Sequence, residues 1–334
     1  MAHSAESDGA VISLAAPVAD ATSPALPPRA VRGKQSDLKF LLQVSRPGLW
    51  TTTALFYLMP LGHSIAFTSA RFWAGLIYIL IPLGFLLYGV NDIVDVEADR
   101  LNPRKGTFLF GSLGRAEQLA ALRWQIAAIQ IPFVAVFLIW IGPRVLLWFA
   151  ALLIAVALYN GLPARQGAPP IGRKARPPFD VLMQASYLLV FVLSAWVNGA
   201  PQLPWQTFVF GGMFAMHSHL FGEVMDIAPD RETGRMTTAV GMGVVRTKLL
   251  IAAFLSVEAG LVAWCFQDRV IAGFLATGVV WFIADACWLW RNRPYSPKTM
   301  KLFMWGWNAA AVLLILWDYT YGTLTHSATL AFGM

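Results

Sequence analysis

The chain has 334 residues, of which 57% are hydrophobic and only 13% carry a charged side chain. Soluble domains usually contain about a quarter charged residues, so this composition excludes an ordinary soluble enzyme and indicates an integral membrane protein. The formal net charge of +7 would be typical of a nucleic-acid-binding protein if the chain were soluble. The topology derived below accounts for it instead, and we expect no nucleic-acid partner.

The two ends of the chain differ from the apolar middle. Residues 1–36 are rich in Ala, Pro and Ser and lack the cationic start of a secretory signal, so we expect a disordered cytoplasmic tail. Residues 37–323 are expected to form one all-α transmembrane domain, and residues 324–334 a short C-terminal tail. Cys265 and Cys287 both lie in apolar segments, which argues against a disulfide framework or a cysteine-based zinc site.

Nine segments are long and apolar enough to be membrane-spanning helices, each of which needs about 20 residues. The predicted spans are residues 47–67, 72–96, 118–140, 143–161, 178–198, 205–226, 247–267, 270–290 and 300–321. With an inner N-terminus, only Arg71, Arg144 and Arg269 of the 25 Lys and Arg residues fall in outer loops. This asymmetry follows the positive-inside rule and predicts a multi-pass protein of a bacterial-type inner membrane with a cytoplasmic N-terminus.

Two acidic runs end the second and sixth predicted spans on the cytoplasmic side. The first, "NDIVDVEADRLNPRKG" at 91–106, spaces its acids i, i+3 and i+7, and the second, "EVMDIAPDRETGR" from residue 223, repeats that spacing. At 100° per residue, three such acids lie within about 60° on one helix face. The acids are Asp92, Asp95 and Asp99 in the first run and Glu223, Asp226 and Asp230 in the second. The match predicts two equivalent halves that face a common cleft.

Carboxylates clustered beside a bilayer need cations, because a charge at mid-membrane costs about 2.5–3.5 kcal/mol even on lenient scales. Oxygen ligands at this spacing suit Mg²⁺, which usually binds one or two carboxylates together with phosphate oxygens. Six acids could hold two or more Mg²⁺ ions and, through them, a diphosphate. The alternative is a pair of solvated helix ends whose acids pair with Arg100, Arg104 and Arg231, and the identical phase of the two runs argues against it.

These residues resemble a known family. "NDIVDVEADR" resembles the NDxxDxxxD motif of the UbiA superfamily of intramembrane prenyltransferases, and "EVMDIAPDRETGRMTT" resembles its second motif, with Glu223 in place of the first Asp. "LYNGLPARQGAPPIGRKARPPFD" is similar to the family's Tyr-plus-basic loop, and "SRPGLW" to its first-helix entrance. The resemblance covers about residues 40–320. Within the superfamily, "DRLNPRKG" and "MDIAPDRETGRMTTA" are closer to the lycopene elongase branch than to the quinone branch.

The resemblance implies Mg²⁺-dependent transfer of a prenyl group from an isoprenoid diphosphate to a lipophilic acceptor in the bilayer, for example a carotenoid such as lycopene, with release of pyrophosphate. The implied metal ligands are Asp92, Asp95, Asp99, Glu223, Asp226 and Asp230. The implied diphosphate contacts are Asn91, Arg46, Arg104, Lys105, Lys174, Arg231 and Arg235, with Arg173 and Arg176 as competitors of Lys174. The catalytic set is Asp95, Asp99, Asp226, Asp230 and Tyr159.

Three other interpretations stay open at this point. One is prenyl transfer to an aromatic or quinone precursor, and another is a UbiA-type terpene cyclase that uses the same cleft. A transporter of a cation or an anionic lipid would place its acids near the bilayer midplane, whereas these lie at the inner ends of the spans.

Several polar residues in or near the spans have no assigned role. His217 and His219 are two residues apart, so they point to different faces and should not form a metal pair; each is either an interior histidine with a partner or part of the acceptor cavity. Glu258, Asp285 and Asp318 are expected to be paired or functional because acids are costly in a membrane.

Overall fold

The computed structural model describes residues 37–161 and 172–326, and within these ranges every regular element is helical. The predicted all-α class is therefore confirmed. The predicted tails at 1–36 and 324–334 lie wholly or largely outside the described residues. The α-helices are α1 (Asp37–Val44), α2 (Trp50–Leu58), α3 (Ala70–Leu80), α4 (Pro82–Gly84), α5 (Val90–Val94), α6 (Val96–Leu101), α7 (Ala116–Ile141), α8 (Arg144–Asn160), α9 (Phe179–Leu182), α10 (Leu189–Asn198), α11 (Trp205–Glu232), α12 (Thr238–Met242), α13 (Val244–Leu261), α14 (Arg269–Cys287) and α15 (Pro297–Tyr321).

Six helical stretches in the described part of the chain are long and apolar enough to cross a membrane. They are Ala70–Val94, Ala116–Ile141, Phe179–Asn198, Val244–Phe266, Arg269–Cys287 and Pro297–Tyr321. A seventh apolar helix, α8, is shorter, with 17 residues. The segments predicted as the first and sixth spans are helical but fall outside this set, so the count of nine stays a prediction.

Both exceptions have a local cause. The first predicted span breaks into short pieces, because prolines begin the 3₁₀ turn Pro47–Leu49 before α2 and occupy the turn Met59–Leu61 after it. Helix α11 is 28 residues long, but its two histidines and Glu223 interrupt the apolar sequence. The spans were predicted from the length of apolar segments, a criterion that gives no weight to single prolines or polar residues within a segment.

The helix that carries the first acidic run is bent. A π-helical stretch, Phe85–Gly89, precedes α5, and Asp95 leaves helical geometry between α5 and α6, with φ −98° and ψ 16°. Backbone hydrogen bonds nevertheless continue across the bend, from Asp95 N to Asn91 O and from Asp99 N to Asp95 O, both 2.9 Å. The backbone therefore stays hydrogen-bonded through the bend.

The packing of the long helices brings the two acidic runs together. Helix α11 packs against α13, which packs against α14, and α2 packs against α3, α10 and α15. Phe56 on α2 stacks on Phe191 of α10 with ring centroids 5.1 Å apart and lies 6.0 Å from Phe214 of α11. These aromatic contacts connect the N-terminal half of the bundle to α11. The segment after α6 contacts α11 through Asn102 and Arg104, which both bind Asp226.

Candidate functional site

A cavity of about 320 Å³ lies among the helices and is lined by residues from both acidic runs. Its polar lining includes Asn91, Asp95, Asp99, Glu223, Asp226 and Asp230. Its apolar lining includes Leu49, Phe56, Leu87, Phe303, Met304 and Trp307. Five carboxylates and an extended apolar wall thus border the same space, which suits a ligand with an anionic head and a hydrocarbon chain.

Asp95 is the acid that connects the most distant parts of the site. Its Oδ1 accepts hydrogen bonds from Lys174 Nζ and from Arg235 NH2. Lys174 Nζ also lies 3.3 Å from Asn91 Oδ1 and 3.3 Å from Asn160 Oδ1. The loop before α9 and the segment after α11 therefore meet at one carboxylate on the bend of the first run.

Asp92 is surrounded by two basic side chains and a serine hydroxyl. Its Oδ1 lies 2.7 Å from Lys105 Nζ and 3.2 Å from Arg46 NH2, and its Oδ2 accepts a 2.6 Å hydrogen bond from Ser112 Oγ. Asp92 is buried and does not line the cavity with Asp95 and Asp99. Lys105 Nζ also lies 2.7 Å from Asp99 Oδ2, so Asp92 and Asp99 share one lysine across the bend, and the common face of the three acids stays a prediction.

The second run is tied to the first by the segment after α6. Asp226 accepts a 2.8 Å hydrogen bond from Asn102 and a charged pair of hydrogen bonds from Arg104. Glu223 accepts the Ala239 backbone N–H at 3.1 Å and lies 3.0 Å from His219 Nε2. The contacts of Asp226 therefore connect the second run to the segment that follows the first.

Burial changes the proton affinities of groups at this end of the cavity. Loss of hydration raises the pKa of Asp230 to about 7, and the charge of Asp226 adds to the effect while Arg235 opposes it. Loss of hydration also raises the pKa of Asp99 to about 6 against the attraction of Lys105, and it lowers the pKa of Lys174 although Asp95 opposes this. Asp99 and Asp230 are therefore carboxylates that their basic neighbours only partly compensate.

The predicted diphosphate contacts are mostly brought to this cavity. Arg46, Arg104, Lys105, Lys174 and Arg235 all line it, as does Tyr159, whose ring lies 6.2 Å from that of His219. Arg231 is exposed and is not part of the lining. It directly follows Asp230 on α11, so the helical rotation of 100° turns it away from the cavity.

Sequence reasoning missed two features of the site. Tyr88 and Tyr187 line the cavity with their hydroxyls 2.8 Å apart, and the Arg46 guanidinium lies 4.6 Å from the centre of the Tyr88 ring. Asp180 is fully buried and accepts hydrogen bonds from the backbone N–H and the hydroxyl of Thr238, after the second run. The acid in "RPPFD" was a signal for Asp180, whereas no local pattern pairs two tyrosines 99 positions apart.

The donor set fits a hard divalent cation, because it consists of carboxylate and amide oxygens. Among the described residues, no three acidic, histidine or cysteine side chains converge closely enough to hold an ion as they stand; the acids are instead paired with basic side chains. Arg46 Nε is buried without a hydrogen-bond partner in the described part of the chain. A phosphate oxygen could satisfy that donor.

Comparisons with known proteins identify a family and several relatives that the chain is similar to. The model of the UbiA prenyltransferase family matches residues 48–309. A Corynebacterium glutamicum protein named lycopene elongase/hydratase is 29% identical over 293 residues, which cover 84% of this chain and 96% of that protein. A Haloferax volcanii protein of the same name is 28% identical over 271 residues, 75% of this chain and 84% of that protein.

A solved structure extends the likeness to the fold. The structure of a UbiA homolog from Archaeoglobus fulgidus bound to DMAPP and Mg²⁺ superposes with a TM-score of 0.61. The match covers 85% of this chain and 99% of that one, at 22% sequence identity.

Proposed function

The chain belongs to the UbiA prenyltransferase family, and from this premise we propose that it transfers an allylic prenyl group from its diphosphate to a carotenoid such as lycopene, with Mg²⁺ as cofactor. The observation that carries the proposal is the convergence of both acidic runs on one cavity with an apolar wall. The names of the relatives from Corynebacterium glutamicum and Haloferax volcanii support the acceptor. The Mg²⁺ and DMAPP bound by the Archaeoglobus fulgidus homolog support the cofactor and the donor.

In this proposal the acidic runs hold two or more Mg²⁺ ions. The ligands are Asp95, Asp99, Glu223, Asp226 and Asp230, which line the cavity, with Asp92 behind them orienting Arg46 and Lys105. Mg²⁺ would neutralise the negative charge that develops on the leaving diphosphate. The ion pairs that now occupy these acids would then be exchanged for metal and phosphate contacts.

The basic side chains take the remaining charge of the diphosphate. Arg46 has a free, buried Nε for a phosphate oxygen, and Lys174 and Arg235 become available when metal replaces them at Asp95. Charge-assisted hydrogen bonds of this kind stabilise an anion best where water is excluded. Arg231 is exposed, and in this proposal it does not contact the diphosphate but is one of the basic residues on the cytoplasmic side that set the orientation in the membrane.

The reaction follows from that arrangement. The bond between the allylic carbon and oxygen breaks, and its electron pair leaves with the diphosphate. The π electrons of an acceptor double bond then form the new carbon–carbon bond, and the positive charge moves to the acceptor. Loss of a proton to water or to the released diphosphate completes the transfer. The apolar wall and the rings of Phe56, Tyr88 and Trp307 keep water from the cation and stabilise it.

The proposed topology has nine spans and places the acidic cleft at the cytoplasmic side of an inner membrane. Six candidate spans lie in the described part of the chain, and the asymmetric distribution of basic residues supports the orientation. A water-soluble diphosphate made in the cytoplasm would then reach the acids directly, while the acceptor would enter from the bilayer.

A product assay tests this function. Purified protein in liposomes receives dimethylallyl diphosphate and Mg²⁺ together with lycopene, with a quinone-precursor aromatic acid, or with no acceptor, and a parallel set contains EDTA. We expect a prenylated polyene and pyrophosphate only with lycopene and Mg²⁺. Prenylation of the aromatic acid alone would contradict the carotenoid acceptor. A cyclic hydrocarbon formed from a longer prenyl diphosphate without acceptor would favour a cyclase.

A further inference from the structure

A histidine and a glutamate are paired inside the helical domain, outside the cavity lining. His217 on α11 is 1% exposed and Glu258 on α13 is fully buried. His217 Nδ1 lies 2.7 Å from Glu258 Oε1. Glu258 belongs to the candidate span Val244–Phe266, where an acid is strongly disfavoured unless it has a partner or a function.

The histidine satisfies only one of the two carboxylate oxygens. Glu258 Oε2 is buried, and no hydrogen-bond donor contacts it in the part of the chain that the structure describes. An unpaired buried acceptor destabilises a protein, and replacing a buried polar pair by apolar residues often stabilises one. Stability alone therefore does not account for this pair.

The pair lies directly behind the wall of the cavity. The His217 ring is 5.8 Å from that of Trp307, at an interplanar angle of 72°, and 5.2 Å from that of Phe214. Trp307 lines the cavity, and its indole N–H donates a 2.9 Å hydrogen bond to Thr52 Oγ1. The indole is thus held by Thr52 on one side and contacted by the imidazole on another.

We propose that the His217–Glu258 pair positions Trp307 and makes the electrostatic potential at its cavity side more negative, which stabilises the carbocation formed on the acceptor. The inference rests on the proposed function, since transfer of the prenyl cation to a double bond leaves the positive charge on the acceptor. An indole face attracts cations, and the Glu258 carboxylate, held by the imidazole that contacts the indole, adds to that attraction because little water screens it. His217 and Glu258 are positioning residues, since neither lines the cavity.

Two substitutions of Glu258 separate charge from packing. Glu258→Gln keeps the length and a hydrogen-bonding group but removes the charge, and Glu258→Asp keeps the charge but is one methylene shorter. We expect Glu258→Gln to lower kcat about tenfold, the change that losing about 1.4 kcal/mol of cation stabilisation gives, and Glu258→Asp to retain more activity. A packing role predicts the reverse order, so higher or unchanged kcat in Glu258→Gln would overturn the inference.

The affinity for a non-reactive thio analogue of the donor diphosphate serves as the check on folding. We expect it to be unchanged in both variants, because the metal and diphosphate groups lie elsewhere. His217→Asn, which removes the ring and keeps the carboxylate, provides a second route if Glu258→Gln does not fold: it should lower kcat at unchanged analogue affinity. Unchanged kcat in a folded His217→Asn protein would also overturn the inference.

A double-mutant cycle tests whether the pair acts through Trp307. In a Trp307→Leu background we expect Glu258→Gln to have little further effect on kcat, whereas independent roles give multiplied effects and would overturn the inference. The matched control is Asp318→Asn, a buried acid of α15 that accepts the Leu324 N–H at 3.1 Å outside the cavity lining. It should leave kcat unchanged.

The assay distinguishes failure of this inference from failure of the proposed function. Every variant is measured with whichever acceptor the wild-type protein prenylates. A wild-type protein that does not prenylate lycopene contradicts the proposed acceptor. Equal turnover by wild type and Glu258→Gln contradicts only the role of the buried pair.

Discussion

At the scale of single residues, Asp95 joins basic residues of two distant segments at one oxygen atom. It is 4% exposed, lines the cavity, and accepts hydrogen bonds from basic residues of two other segments. We propose that Asp95 exchanges one of these two cations for a metal ion. The neighbouring Glu97 belongs to the same acidic run but is exposed and outside the cavity lining.

These two acids give a matched prediction. Asp95→Asn should lower kcat by at least about 100-fold, because it removes a charged oxygen ligand and leaves Lys174 and Arg235 without their counter-charge. Glu97→Gln, made in the same run, should leave kcat within about twofold of wild type, as is usual for an exposed position. Turnover of the two variants is measured by pyrophosphate release. Similar losses in both would show that the run acts only through its overall charge.

At the scale of elements, the segment after α6 depends on close contact with the 3₁₀ turn Pro47–Leu49 before α2. A Cβ added to Gly48 would lie 2.1 Å from the carbonyl oxygen of Leu109, so only glycine permits this approach. The same segment supplies Arg104 to Asp226 and Lys105 to Asp92. The position of the two basic residues therefore depends on the Gly48 contact.

Gly48→Ala should destabilise the protein by about 1–3 kcal/mol, the usual cost of overpacking. It should also reduce activity, because Arg104 and Lys105 shift with the segment. Gly260→Ala is the control, since a Cβ at Gly260 on α13 meets nothing within 4 Å. Thermal unfolding in detergent and turnover measure both effects. A Gly48→Ala protein with wild-type stability and turnover would contradict the dependence on close contact.

Helical phase predicted which acids line the cavity more fully for the second acidic run than for the first. Glu223, Asp226 and Asp230 all line the cavity because α11 runs without interruption from Trp205 to Glu232. In the first run Asp95 leaves helical geometry, and Asp92 does not line the cavity although it shares Lys105 with Asp99.

Contacts between distant segments lay beyond any local pattern. The bond from Asn102 to Asp226 and the pair of Tyr88 and Tyr187 depend on how helices cross, and sequence spacing does not specify a crossing. Composition and the length of the apolar segments, in contrast, were sufficient for the all-helical class. A membrane-spanning chain satisfies its backbone only as helices or a closed barrel, and the strands of a barrel need only about 9–11 residues.

At the scale of the whole molecule, the proposed topology can be tested by labelling from either side of the membrane. In a background with Cys265→Ser and Cys287→Ser, one new cysteine is placed by Arg100→Cys or by Arg144→Cys, both at exposed positions. An impermeant maleimide should label the first only in inside-out vesicles and the second only in right-side-out vesicles. Labelling of both positions from the same side would contradict the single membrane span, residues 118–140, that is predicted between them.

The central claim is that both acidic runs together hold one metal-bound diphosphate over the apolar cavity. Its most direct test is the binding of Mn²⁺, as a paramagnetic substitute for Mg²⁺, in the presence of a non-reactive thio analogue of dimethylallyl diphosphate. We predict that Asp95→Asn and Asp226→Asn each weaken binding at least about tenfold, although they lie on different helices. Wild-type affinity in either variant would contradict the claim.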